Sequence, residues 1–407
     1  MLSVREALAQ VLRSVPPLGA ERAGLLNAVG RVLAEDVRSL RDVPGYANSA
    51  MDGYAVRHAD LARVPARLRV TGTAAAGAQA IPSVGAREAV KIMTGAPIPA
   101  GADTVVRIED THSEGDDVLV EAHGPAGSHI RLAGEDVRRG ATVLSRGRRL
   151  NPADIGLAGS VGRTLLLVHR RPRVAILSTG NELVEADQPI APGQVVNTNA
   201  YALAAAVAEA GGIPVPLAIA RDTREEIRDA FAEAARADAI LSTGGVSVGD
   251  FDYVKAVMDE IGVQRLFWKV AQKPGKPLTF GTLGGRPYFG LPGNPVSSLV
   301  CFYVYARPAL RRMLGHSAVH FPSLEAALTH DLKKASGLTE FVRCRLELRD
   351  GRWTATSTGT QSSAVLSSMS QGQGLIVGPP QESVLRAGSA VRVILIEAEA
   401  ASEEAPF

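Results

Sequence analysis

The sequence predicts a multidomain α/β plus β protein: a central doubly wound α/β domain, an elongated helical domain interrupted by an inserted β-rich domain, and a C-terminal β-barrel. Three observations carry this. Over residues 171–318 strand-like runs alternate with helical ones, which implies βαβ units, a parallel sheet and right-handed crossovers. Residues 44–137 and 319–407 instead read as short strands separated by Gly, Pro and Asp. Helical signals lie on both sides of the first β stretch, so it reads as an insertion between 1–43 and 138–170.

The elements follow from local chemistry. Ser3 and Glu6 form a capping box, and Val4, Ala7, Leu8, Val11, Leu12 and Val15 make one apolar helical stripe that Pro16-Pro17 ends. A second amphipathic helix is expected over about 20–36. Strands are expected at 67–71, 104–109 and 117–121. Asn151-Pro152-Ala153-Asp154 is a helix start, with Asn as cap and Pro in the first turn. The α/β region reads as strand 173–177, helix 199–210 closed by Gly211-Gly212, strand 214–220, and a capped helix from Thr223 to Ala237. Strand 239–241, a helix ending at 261, strand 288–290 and helix 295–314 complete it. Near the C-terminus Val342, Cys344, Leu346 and Leu348 alternate with Arg343, Arg345 and Glu347, Asp350-Gly351 reads as a hairpin turn, and 391–396 is a last strand.

Composition narrows the function classes. The chain has 407 residues, 46% of them hydrophobic, which is enough to bury large cores. Lys+Arg number 44 and Asp+Glu 42, and a net charge of +2 argues against a duplex nucleic-acid binder, although not against a small anion held by local cations. Aromatics at 4% leave few platforms for stacking bases. Two cysteines, Cys301 and Cys344, are too few for a disulfide framework or a cysteine-built zinc site and fit a reducing cytoplasm. The N-terminus does not read as a signal peptide, and the longest apolar stretch, near 299–306, is far below the ~20 residues of a membrane span. A soluble cytoplasmic protein with no nucleic-acid or membrane partner is expected.

In open parallel sheets ligands bind at the carboxyl ends of strands. Three loops fall there: Ser178-Thr179-Gly180-Asn181-Glu182, then Ser242-Thr243-Gly244-Gly245-Val246-Ser247-Val248-Gly249-Asp250, then Gly290-Leu291-Pro292-Gly293-Asn294-Pro295-Val296-Ser297-Ser298. Glycine permits close backbone approach, and amides and hydroxyls can cradle an oxyanion. One such loop is unremarkable in any βα unit, but three on one edge point to a phosphate-like ligand. No Walker pattern and no GxGxxG is present. Lys273-Pro274-Gly275-Lys276-Pro277 is a stiff turn holding two ammonium groups, a candidate anion clamp or a solvated turn. Glu182, Asp222, Asp250 and Asp252 sit at or past strand ends, where carboxylates suit Mg²⁺; Asp222 and Asp250 read equally as helix caps. In the inserted domain Asp52-Gly53, Met93–Pro99 and Arg131–Asp136 could each be plain turns.

Taken in order, Ser49-Ala-Met-Asp-Gly-Tyr-Ala, Thr94-Gly-Ala-Pro, Gly134-Glu-Asp, Ser178-Thr-Gly-Asn-Glu, Gly244-Gly-Val-Ser-Val-Gly, Lys273-Pro-Gly-Lys-Pro and Leu291-Pro-Gly-Asn-Pro-Val-Ser resemble one family. The chain is similar to the molybdopterin molybdenumtransferases, the MoeA and gephyrin E-domain family. The resemblance implies an elongated homodimer whose α/β domain is like the molybdopterin adenylyltransferases. It also implies insertion of molybdate into adenylylated molybdopterin, with Mg²⁺ required, AMP released and the substrate passed on from a molybdopterin adenylyltransferase. By this resemblance Lys273 and Lys276 bind molybdate, helped by Ser247, Arg343 and Ser363, with Arg345 a rival for Arg343. Asp222 and Asp252 hold the metal, and Glu182, Asp52 and Thr94 join them in catalysis. Arg131 and Asp136 contact substrate, while Gly244, Gly245, Pro292 and Pro295 shape loops. Two other readings remain: a nucleotide or pterin-phosphate hydrolase using only the α/β domain, and a non-catalytic scaffold of the gephyrin type.

Overall fold

The structure is a computed structural model that describes residues 1–78, 80–244 and 252–397, without the side chains of 252–255. It divides into two compact units, Met1–Glu21 with His169–Phe407, and Arg22–Val168.

The first unit is built on a twisted sheet of β1 (Arg173–Ser178), β2 (Ile213–Pro216), β3 (Ala239–Thr243), β4 (Gln264–Trp268), β5 (Thr279–Leu283) and β6 (Arg286–Leu291). The order is β2-β1-β3-β6-β5-β4, with the first four parallel and β5 and β4 antiparallel additions. Burial alternates along the strands. Val174, Ile176, Leu241, Phe289 and Leu291 enter one core, and Ala175, Leu177, Ile240 and Tyr288 enter the other. Both faces are therefore covered, as a parallel sheet requires. One face carries α1 (Val4–Ser14), α2 (Thr198–Glu209) and α5 (residues 295–313), the other α3 (Arg224–Ala234) and α4 (Asp252–Glu260).

Helix α1 has the expected capping box: the Glu6 amide donates to Ser3 Oγ at 3.2 Å and the Ser3 amide to Glu6 Oε2 at 2.8 Å. Its Ala7 and Val11 are buried in the α/β core, so this N-terminal segment packs with the first unit. Helix α5 is α-helical over Pro295–Cys301 and Arg307–Met313, with a π-helical stretch Phe302–Ala306 between. Pro308 has no amide to give the helix ladder, and the wider turn just before it accommodates that loss. The strand expected at 214–220 ends early, at Pro216. Strand β4 escaped the sequence pattern because Leu266 and Trp268 face outward, so the apolar-in, polar-out alternation is missing.

The chain ends in a closed barrel of β7 (Ser323–Leu328), β8 (Thr339–Arg349), β9 (Arg352–Ser357), β10 (Gly374–Gly378) and β11 (Ala390–Leu395). Long β8 closes it by pairing with both β9 and β10. Asp350 and Gly351 have φ of 49° and 73°, the two positive values that a tight hairpin turn needs. The first residues of β8 also pair with Gln272–Lys273, matching Lys273 to Glu340 and joining the barrel to the connection between β4 and β5.

The second unit contains a six-stranded sheet formed by Gly53–Val56, Ala66–Ala74, Glu88–Ile92, Thr104–Arg107, Thr111–Glu114 and Asp117–Val120. The remainder is less helical than the sequence suggests. Instead of one helix over 20–36 the chain forms strand Ala20–Gly24 and a four-residue helix, Leu25–Ala28. Gly30 with φ 75° turns the backbone out of any helix, and Val32 and Leu33 make β-bridges. Helix Pro152–Ser160 does open on Asn151, whose side chain accepts from the Asp154 amide at 2.9 Å.

Candidate functional site

The sheet register puts Ser178, Thr243 and Leu291 in one row, so the loops after β1, β3 and β6 leave from the same edge. At that edge lies a cavity of about 1060 Å³. Thr179 and Glu182 line it from the first loop, Thr243 and Gly244 from the second, and Pro292 to Pro295 with Ser297 from the third. Lys273 through Pro277 form another wall, and Leu338, Gln361, Ser362 and Ser363 reach in from the barrel. Gly244 has φ 89°, and a Cβ there would run into the Thr179 carbonyl, so two of the loops touch through a glycine. Gly245, Ser247 and Asp250 lie outside the described residues.

Two helix N-termini open onto the cavity. Asn197 precedes α2 and Asn294 precedes α5, and neither side chain caps its own helix. Asn294 instead donates to Ser363 Oγ at 2.9 Å, fixing the serine-rich barrel loop over the end of α5. Asn199 donates to Thr243 Oγ1 at 2.7 Å and to the Gly293 carbonyl at 2.8 Å, joining the second and third loops. Thr179 Oγ1 and Asn197 Oδ1 are buried in the lining without a hydrogen-bond partner among the described residues. Buried polar atoms ordinarily have partners, so a polar ligand in the cavity would complete them. Positive helix ends, the unpartnered Thr179 hydroxyl and the lysines together suit an anion, whereas Asn197 Oδ1 calls for a donor on the ligand.

The lysine turn is moulded from beneath. Buried Gln272 donates through Nε2 to the Pro274 carbonyl at 3.2 Å and the Gly275 carbonyl at 3.1 Å. Tyr305 donates to Gln272 Oε1 at 2.5 Å, and the Cys301 thiol donates to the Gly275 carbonyl at 3.5 Å. Burial pushes the Cys301 thiol up, so it stays protonated and inert, consistent with a core role. Gly275 has φ 88°, and a Cβ would strike Cys301 Sγ. Gln272, Tyr305, Asn197 and Asn199 were not singled out from sequence. The cluster Asn197-Thr198-Asn199 at a helix start was the available signal.

Several expected site residues stand differently. Arg343 does not line the cavity. It is 1% exposed and donates to Ser368 Oγ and to the carbonyls of Thr360, Gln361 and Ser362. A guanidinium surrounded by fixed carbonyls holds the Gln361–Ser363 loop, which lines the cavity, in place. Its rival Arg345 is exposed and donates to Gln371 Oε1 at 2.8 Å, also away from the lining. Asp222 is not a helix cap, because Thr223 occupies that position and accepts from the Glu226 amide at 3.3 Å. Asp222 instead exchanges hydrogen bonds with Asn181: the Asn181 amide donates to Asp222 Oδ2 at 3.2 Å and the Asp222 amide to Asn181 Oδ1 at 3.1 Å. Its other carboxylate oxygen has no partner among the described residues. Asp252 begins α4, and its side chain is outside the described residues. No cluster of three metal-binding side chains occurs among the described residues.

Asp52, Thr94, Arg131 and Asp136 belong to the second unit. Asp52 and Thr94 do meet: Asp52 Oδ1 accepts from the Thr94 amide at 2.6 Å and its hydroxyl at 2.7 Å. The amide first, then the hydroxyl, hold the Asp52 carboxyl below its usual range. Gly53 must be glycine, since a Cβ would overlap the Val106 carbonyl. Arg131 pairs across strands with Asn48, and Asp136 is exposed beside a smaller cavity lined by Gly134–Arg138 and Leu157.

Comparison with known proteins places these features. Residues 2–162 match the MoeA N-terminal region (domain I and II), 175–312 the probable molybdopterin binding domain, and 325–396 the MoeA C-terminal region (domain IV). The chain is 37% identical to the molybdopterin molybdenumtransferase of Nostoc sp., over 97% of this chain and 94% of that protein. It is 36% identical to that of Haemophilus influenzae, over 97% and 98%. The crystal structure of the molybdopterin biosynthesis moeA protein from Pyrococcus horikoshii OT3 superposes with a TM-score of 0.82 at 30% identity, covering 97% of this chain and all of that one.

Proposed function

The chain belongs to the molybdopterin molybdenumtransferase (MoeA) family, transferases of molybdenum cofactor biosynthesis, and on that footing we propose that it inserts molybdate into adenylylated molybdopterin, with Mg²⁺ required and AMP released. The observation that carries this reading is the meeting of the strand-end loops, the lysine turn and the barrel serine loop on one cavity. Lys273 and Lys276 supply positive charge to a dianionic oxometalate. The α5 N-terminus and Ser363 offer donors beside them. The uncapped α2 end with the Thr179 hydroxyl takes the pterin phosphate. The substrate brings its own dithiolene sulfurs, so neither buried cysteine is needed.

Asp222, with Asp252, would hold Mg²⁺. The carboxylate oxygen of Asp222 that has no partner among the described residues, next to the cavity loop through Asn181, is a hard donor of the kind this ion prefers. Held there, Mg²⁺ would offset phosphoanhydride charge. Glu182, on the wall of the same cavity as the lysines, orients the substrate. Homodimerisation brings Asp52 and Thr94 of one copy to the cavity of the other, and a molybdopterin adenylyltransferase supplies the substrate. A hydrolase confined to the α/β part is disfavoured, because barrel residues complete the cavity wall.

The test is an in-vitro reaction of the protein with adenylylated molybdopterin, molybdate and Mg²⁺. AMP and active cofactor should both form, and both should depend on molybdate. AMP release without cofactor would favour the hydrolase. For the shared site, Asp52→Ala and Lys276→Ala proteins, each inactive, should regain activity when mixed and re-dimerised; persistent inactivity of the mixture sinks it.

A further inference from the structure

The two lysines of the turn are not equivalent. Lys273 Nζ lies 3.0 Å from Glu340 Oε1, with the lysine side chain 52% exposed and the glutamate 6%. Lys276 is exposed to the cavity and has no side-chain partner among the described residues. The Lys273–Glu340 pair is not a chance meeting of surface rotamers. Glu340 opens β8, and the parallel pairing of that strand with Gln272–Lys273 sets the two residues directly opposite each other. The second oxygen of Glu340 accepts from the Ala335 amide at 3.3 Å, which fixes the carboxylate from behind. Of the other cations near it, Arg343 is occupied by the carbonyls of residues 360–362 and Lys334 by those of Ala335, Pro379 and Glu382. Glu340 is thus a buried carboxylate whose ion-pair partner is Lys273, on the wall of the cavity.

From this we propose that Glu340 is an internal counter-ion that an incoming oxyanion must compete with for Lys273, and that it sets the affinity of the cavity for oxyanions. With the cavity empty, Glu340 holds Lys273 in place and cancels its charge, leaving Lys276 as the uncompensated cation of the turn. An oxyanion that draws on Lys273 does so against a like charge fixed about one ion-pair length away. The arrangement keeps abundant weakly held anions out, since only a ligand that also engages Lys276 and the α5 end repays the competition. This rests on the reading of the cavity as an oxyanion site.

Equilibrium binding of molybdate to the purified full-length protein tests it. Glu340→Gln, near-isosteric, should bind molybdate about tenfold more tightly and bind sulfate measurably better, with unchanged circular dichroism. Lys273→Met should weaken binding by more than tenfold because it leaves the carboxylate unpaired. The double variant Lys273→Met/Glu340→Gln should return to within about threefold of the wild type, and it remains decisive if Glu340→Gln alone folds poorly. Unimproved binding by Glu340→Gln, or a double variant as weak as Lys273→Met, overturns the counter-ion. If the wild type binds no molybdate and Lys276→Ala changes nothing, the oxyanion reading itself fails and takes the counter-ion with it.

Discussion

The lysine turn at 273–277 and the Asp52–Thr94 contact are both polar groups on tight turns, yet they are held in opposite ways. The turn rests on a buried polar template of Gln272, Tyr305 and Cys301, with an ion pair at one end. Asp52 and Thr94 are exposed, hold each other directly and stand on a steric constraint, the absent side chain of Gly53. Charge presented to a cavity must be braced from within, because flexible ammonium groups on a loose turn would lose rotamer freedom on binding. A carboxylate in water needs only a pair of donors to be oriented. The first arrangement should therefore fail through ligand affinity, the second through local order.

The largest expected effect is at the free cation. Lys276→Ala should reduce cofactor formation by more than a hundredfold at micromolar molybdate and leave the fold intact; undiminished insertion under those conditions would remove the clamp from the comparison. Next is Gly53→Ala, which forces a Cβ into the Val106 carbonyl and should cost about 2–4 kcal/mol, read as a drop in Cm on urea denaturation. A shift within error would mean that the strand can move aside there. Gln272→Leu removes the donors to Pro274 and Gly275 and strands buried carbonyls, at about 1–3 kcal/mol. It should raise the KM for molybdate more than it lowers kcat, and Gln272→Glu should not rescue it, since a carboxylate cannot donate. An unchanged KM would make the template structural only.

The smallest effect concerns pH. Asp52 has a carboxyl held below its ordinary value, so its bond to Thr94 is fully present above the ordinary carboxylate range and is lost as pH falls through the depressed value. Hydrogen-exchange protection of the Thr94 amide should stay constant from neutral pH down into that range and fall only below it. Asp52→Asn should abolish this pH response. Protection that declines already between neutrality and the carboxylate range would contradict the assignment.

Much of this protein is written in stretches of a few residues. The Ser3–Glu6 and Asn151–Asp154 capping boxes and the Asp350-Gly351 turn depend on neighbours at most three positions away and are present in the structure, as are the strand ends Ser178, Thr243 and Leu291 from which the glycine-rich loops leave. The motif order likewise identified the family. Local pattern was a poorer guide where glycine breaks a helical stripe, as at Gly30 after Leu25–Ala28. What only the tertiary structure decided is how charge is shared. Arg343 is an exposed-looking residue in an alternating strand, but barrel closure buries it under a loop contributed from residues 360–362. Lys273 and Lys276 are equal in sequence, and the pairing of β8 with Gln272–Lys273 brings a buried carboxylate to one of them alone. Burial and charge compensation are set by which distant strands meet. Local propensity carries no information about that meeting.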